Sequence, residues 1–210
     1  MTAKTYDLTK ITQGLGIDFD LRVNTYKPFP CGIVNHPTID GCIQLHEAHQ
    51  LAAGSVKSVR LRVAPLVLDL CNQQNITVGL QGKFSVYHGA AVGLVCGKAG
   101  LGEYSDATVN DPEVKRVREG TTAVGDANLS EDQAHVEVEL GDGRSLSIFV
   151  AESLGNLKRP MSNAQLDVKF RDQAATVLPS AAVDRLLEQC WSIDTLDNVG
   201  EIVGTEVITG

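Results

Sequence analysis

Gln133-Ala134-His135-Val136-Glu137-Val138-Glu139-Leu140-Gly141-Asp142-Gly143-Arg144-Ser145-Leu146-Ser147-Ile148-Phe149-Val150 alternates with a period of two on both sides of a Gly-Asp-Gly turn. Val136, Val138 and Leu140 fall on one face, and His135, Glu137 and Glu139 on the other. Side chains of a strand point alternately to opposite faces, so this is a hairpin with one buried face. Glu137 and Glu139 read as the wet face of a strand and not as a catalytic carboxylate pair.

Working outward, Val59, Leu61 and Val63 alternate with Ser58, Arg60 and Arg62, which predicts a second half-buried strand ending at Ala64-Pro65. Thr121 to Val124 is a third candidate, following a short helix that Asn110-Asp111-Pro112-Glu113 opens and Gly120 stops. Between them, residues 66–80 show no decisive period and their structure stays open. Lys83 to Cys96 predicts a helix in which Gly89, Gly93 and Gly97 recur every four residues. Each glycine inside a helix costs about 1 kcal/mol against alanine, so such a row implies close packing against another backbone. Strands and helices in this order make the chain α+β, a two-layer α/β sandwich with helical segments at both ends.

The most distinctive loop lies upstream, at Tyr26-Lys27-Pro28-Phe29-Pro30-Cys31-Gly32-Ile33-Val34-Asn35-His36-Pro37. Two prolines two apart fix φ and remove N–H donors, which predicts a stiff connection from Lys27 to Gly32. It feeds a helix with Asn35 or His36 as N-cap and Pro37 in the first turn, with Gly54 as its stop. Lys27 and His36 thus stand near a helix N-terminus, whose partial positive charge suits a carboxylate. The plain alternatives are a solvated lysine, a capping histidine and, for Tyr87, a core-edge tyrosine with its hydroxyl at the surface.

The ends read as helical. Leu8 to Leu15 predicts a short helix. Ser162-Asn163-Ala164-Gln165 has capping-box spacing and opens a helix to about Val177. Pro179-Ser180 opens another, carrying Val183, Leu186, Leu187, Cys190 and Trp191, and the tail from Val199 to Ile208 is apolar enough to want a partner.

With 210 residues, 43% apolar content and a formal net charge of −8, the chain holds a sizeable core and lacks the basic clusters that nucleic acid or an anionic membrane surface requires. The five cysteines are scattered and odd in number, with no Cys-x-x-Cys pair, which reads as reduced thiols in a cytoplasmic protein. No signal peptide and no apolar run of about 20 residues is evident. There is no dinucleotide fingerprint, phosphate loop or serine elbow, so no cofactor is expected. His46 and His49 lie three apart without a matching third ligand, so no metal is assigned. Lys27, His36 and Tyr87 remain: a lysine to hold a carboxylate, a histidine or tyrosine to move a proton. That set suits proton abstraction next to a carboxylate in a small polycarboxylic acid.

Lys27-Pro28-Phe29-Pro30-Cys31-Gly32 with His36 and Ile39-Asp40, then Lys83-Phe84-Ser85-Val86-Tyr87, Asp111-Pro112-Glu113-Val114, Asp142-Gly143, and Pro160-Met161-Ser162 through Lys169-Phe170, form an ordered set that resembles the MmgE/PrpD family, its C-terminal lid portion. That family includes 2-methylcitrate dehydratases, cis-aconitate decarboxylases and iminodisuccinate epimerases. The resemblance implies a helical linker over residues 1–25, an α+β lid over 26–159, and helices over 160–210 that return to a helical domain. It implies that Lys27 and Tyr87 are active-site residues; together with the residue reading, Lys27, Gly32 and Lys83 are expected to bind substrate and Tyr87 and His36 to be catalytic. The decarboxylase branch carries a histidine where this chain has Gly32, a departure that points away from decarboxylation. The family's N-terminal helical domain, with its own catalytic residues, has no counterpart in the sequence. The expected function is therefore the lid half of a lyase or isomerase that needs a separately encoded helical subunit. The alternative is a non-catalytic scaffold that self-associates. Both predict a homo-oligomer or a heteromeric complex, because the Val183/Leu186/Leu187/Trp191 face would otherwise be an exposed apolar patch.

Overall fold

The computed structural model of the chain describes residues 6–52, 54–200 and 202. In chain order the helices and strands are α1 His36–His49, β1 Val56–Val63, α2 Pro65–Cys71, α3 Gly79–Gly82, α4 Val86–Cys96, α5 Asp106–Val109, α6 Pro112–Glu119, β2 Thr121–Gly125, β3 Ala134–Leu140, β4 Ser145–Val150, α7 Asn163–Ala174 and α8 Ser180–Trp191. The strands form one mixed sheet in the order β2-β1-β3-β4, with β1 parallel to β2 and the other pairs antiparallel. The fold is α+β, as the alternating hairpin and the helical stretches require.

One face of the sheet is dry. Val59, Leu61, Val63, Val136, Val138 and Leu140 are all buried there, beneath α1, α4 and α6. On the other face, Arg60 pairs with Glu137 at 2.8 Å and Lys57 with Glu139 at 2.6 Å, so the two glutamates are indeed the wet side of a strand. β1 begins two residues before the alternation suggests. A bulge shifts its register between Val56 and Ser58, so Val56 and Val59 both face inward although they lie three apart.

The glycine row does what its spacing implies. A Cβ on Gly93 would lie 2.7 Å from the Cβ of Cys42 and 3.1 Å from the carbonyl oxygen of Ile39, both on α1. A Cβ on Gly89 would meet Ile39 at 2.9 Å. α1 in turn presents Gly41 to Val136, Ile148 and Val150 of the sheet. Two helix backbones and a sheet thus approach as closely as missing side chains allow.

Several boundaries depart from the sequence reading. α1 stops at Gln50, which takes a left-handed conformation (φ 46°), and Gly54 serves a later turn into β1. α4 starts at Val86 because Ser85 caps it, accepting from the His88 N–H at 3.2 Å; Lys83 belongs to the preceding turn. Residues 66–80 resolve into α2, a loop and the single turn of α3. The segment expected as a helix over Leu8 to Leu15 is a 3-10 turn, Leu8–Ile11, with no buried residue, since its apolar side chains meet no surface to pack on. The capping box at Ser162 forms as read, but α7 ends at Ala174 and the chain continues to Val177 in turns. Val183 and Leu187 are not exposed: they are buried, with α8 packed against α7, while Trp191 stays about half exposed and donates its indole N–H to Asp167 at 2.7 Å. The expected tail lies largely outside the described residues. Among those, no helix is long and apolar enough to cross a membrane.

Candidate active site

Three segments converge at the N-terminal ends of α1 and α4 and the C-terminal end of α2. The Lys27–Gly32 loop runs through successive bends, with Phe29 and Cys31 buried beneath it. It is tied at three points. The Gly32 N–H donates to the Lys83 carbonyl at 2.9 Å. The Lys27 ammonium donates to the Cys31 carbonyl at 3.1 Å. The Lys169 ammonium, on α7, donates to the Lys27 carbonyl at 2.8 Å. Beneath Gly32 lies Cys71, the last residue of α2; a Cβ at position 32 would come within 2.7 Å of its Sγ. Cys71 leads into Asn72, which bridges to Ser85 two residues before Tyr87.

Of the five sequence candidates, Lys27 is exposed and Lys83 half-buried, and both lie near enough to Cys31 to pull its thiol down. Burial outweighs them and pushes that thiol up to about 11, so Cys31 is no nucleophile at neutral pH. Gly32 has already given its N–H to Lys83, and the place of its missing side chain is taken by the Cys71 thiol, so it serves the packing of the loop. His36 is the first residue of α1, 2% exposed, with its ring edge-on to Phe29 at 5.3 Å. Burial, then the charge of Lys27, lowers its pKa to about 4. It is a neutral imidazole at neutral pH, and its Nε2 has no hydrogen-bond partner. Tyr87 is buried on the first turn of α4, and its hydroxyl does not sit free at the surface: it donates to the Asn72 amide oxygen at 2.7 Å and accepts from the Gln74 amide at 3.1 Å.

Further residues escaped the sequence reading. Asn35 occupies the N-cap position of α1 but caps nothing; it is fully buried, and its amide meets no oxygen or nitrogen partner, only the thiol of Cys71. The buried Tyr104 hydroxyl meets no oxygen or nitrogen partner and rests against the Cys31 thiol. Asn72 and Gln74 lie in the stretch whose structure had no period to reveal it, although their amide run was visible. Asn35, His36 and Tyr104 thus place buried polar groups close to the Lys27–Gly32 loop.

A separate cleft of about 330 Å³ opens under α7, between Pro28–Pro30 and the Gly97–Glu103 loop. Lys98, Glu103, Lys169 and Asp172 line it, but none of the five candidates does. Among the described residues no group of three or more His, Cys, Asp and Glu side chains could hold a metal ion. His46 gives its Nδ1 hydrogen to the Leu94 carbonyl at 2.7 Å.

A family model described as the MmgE/PrpD C-terminal domain matches residues 29–193. No curated protein matches the chain.

Proposed function

Because the chain belongs to the MmgE/PrpD C-terminal domain family over most of its length, we propose that it supplies one half of the active site of a lyase or isomerase acting on a small polycarboxylic acid. The observation that carries this reading is an exposed Lys27 whose charge reaches His36, a buried histidine with an unpartnered Nε2 at the start of α1. Lys27 and Lys83 would hold substrate carboxylates, and Gly32, packed on Cys71, would keep the loop that carries Lys27 close to Lys83. His36, neutral at working pH, would accept a proton from the carbon next to a carboxylate. Departure of the neighbouring hydroxyl as water, carrying the proton that His36 has taken, then gives dehydration; epimerisation would need a second acid, on the opposite face of the carbanion, to deliver its proton there. Tyr87 would line the same site. In this reading the residues of the C-terminal domain supply one side of the site and a helical domain supplies the other.

The test is to capture the tagged chain with its partners from its native lysate and assay the bound fraction on 2-methylcitrate, cis-aconitate and related acids. Turnover whose KM rises about 10- to 100-fold in Lys27→Ala, the range of a lost charged hydrogen bond, supports the reading. Turnover indifferent to Lys27→Ala and Tyr87→Phe sinks it. The second reading, a self-associating scaffold, is favoured by the exposed Val168, Val177 and Trp191 of the helical pair. A stable homo-oligomer without turnover would select it.

A further inference from the structure

The tyrosine at this site has its proton already committed. A phenol carries one donor and two acceptor positions. At Tyr87 the donor goes to the Asn72 amide oxygen at 2.7 Å, and one acceptor is filled by the Gln74 amide N–H at 3.1 Å. One lone pair is left. Both partners are neutral carboxamides, and neither takes up a proton near neutral pH.

The partners are held as firmly as the phenol. Asn72 terminates α2 and bridges to Ser85, and the Gln73 N–H donates to the Phe84 carbonyl at 3.2 Å. Ser85 caps the helix that carries Tyr87. The amides and the phenol therefore ride on two segments joined by backbone hydrogen bonds, immediately after the Cys71 that lies beneath Gly32. Asn72 and Gln74 are exposed and the Tyr87 side chain is buried, so a ligand that reaches the phenol oxygen has to reach it beside these two amides.

We propose that Asn72 and Gln74 are positioning residues that fix the Tyr87 hydroxyl as a hydrogen-bond acceptor toward the ligand, not as its proton donor. This rests on the reading that Tyr87 lines the site, and it assigns Tyr87 the task of orienting a donor group of the ligand. The proton removed in the reaction then has to go elsewhere, and the unpartnered Nε2 of His36 is the available base. If Asn72 presented its NH2 instead, the hydroxyl would face two donors and its own proton would point outward. The orientation of one amide decides the role.

The ultraviolet resonance Raman Fermi doublet of tyrosine reports whether a phenol donates, accepts or does both. The wild-type minus Tyr87→Phe difference spectrum isolates this residue from Tyr6, Tyr26 and Tyr104. A doublet of a phenol that both donates and accepts is expected, moving toward acceptor-only in Asn72→Leu and toward donor-only in Gln74→Leu. Asn72→Asp, which keeps the acceptor, retains the wild-type doublet. An acceptor-only doublet in the wild type, or one unmoved by Gln74→Leu, overturns the proposal. Gln74 lies in an exposed loop, so its variant keeps the test decisive if Asn72→Leu fails to fold. Calorimetry with citrate on wild type and Lys27→Ala is a separate measurement. Citrate binding that ignores Lys27 removes the polycarboxylate reading without touching the spectroscopic result.

Discussion

Asp40 is the residue on which the two ends of the fold meet. Its carboxylate, 6% exposed on α1, pairs with Arg159 and accepts the Leu154 N–H at 3.4 Å. Arg159 is itself about two-fifths exposed, so solvent weakens the pair. Removing one partner of a buried pair costs about 3–5 kcal/mol because the other charge is stranded; with the guanidinium half in water, Arg159→Met is expected to cost about 2–3 kcal/mol. Urea unfolding measures it, and Asp40→Asn combined with Arg159→Met should recover most of the loss. No sequence pattern pairs these two residues, since they lie far apart in the chain and each looks like an ordinary surface charge. Asn35 was hidden for the opposite reason. Asparagine before a helix ordinarily reads as a cap, whereas this amide turns away from the helix end and meets the Cys71 thiol. Lys27 and Tyr87 stood out in the sequence, whereas the partners of Tyr87 did not, because Asn72 to Asn75 has no apolar period to place it.

At the scale of elements the sequence was most informative where geometry leaves a periodic trace. The strand faces were readable from alternation alone. The four-residue glycine spacing foretold the α1–α4 contact, though not which helix would be the partner. That contact makes a sharp test. Gly93→Ala gains about 1 kcal/mol of helix propensity but forces a methyl against the Cys42 Cβ and the Ile39 backbone. Overpacking of this kind costs about 1–3 kcal/mol, at the high end where backbone must move, so a net loss of about 1–2 kcal/mol is expected. Gly102 has nothing within 4 Å of its would-be Cβ, and Gly102→Ala should leave stability within about 0.5 kcal/mol of wild type. Thermal or urea denaturation of the two variants side by side distinguishes packing from propensity. Helix ends were less legible: Gln50 closes α1 in a conformation that residue type alone does not announce.

The whole molecule carries its acid sensitivity in two buried histidines. His36 and His88 are both lowered to about 4, in each case first by burial. His88 also donates its Nε2 hydrogen to the Glu103 carbonyl at 2.9 Å. An unfolded histidine titrates near 6.5, so between about pH 6.5 and pH 4 the unfolded chain binds more protons than the folded one. Stability is fully present above pH 6.5 and falls as the pH drops through that window, by something on the order of 2–4 kcal/mol per histidine. Chemical denaturation at stepped pH measures the slope, and His88→Gln should reduce it by about half. A slope unchanged in that variant would mean that His88 is solvated enough to titrate in the fold. The exposed carboxylates with lowered values, such as Glu113 and Asp142, belong to a separate and more acidic window.

The parallel pairing of β1 with β2 has a consequence for how the protein is made. Residues 64–120, which join those two strands, carry Cys71, Asn72, Gln74, Lys83 and Tyr87, while Lys27 to His36 precede β1. A chain emerging from the ribosome therefore exposes every segment of the site before β3 has been synthesised. Until then β1, the second strand in the final order, has no antiparallel neighbour, and its inward valines face no finished core. Bare strand edges recruit other chains. The interval between Gly120 and Leu140 leaving the exit tunnel is thus the period of greatest hazard in biosynthesis, and translation pausing there should raise the share of nascent chains held by chaperones.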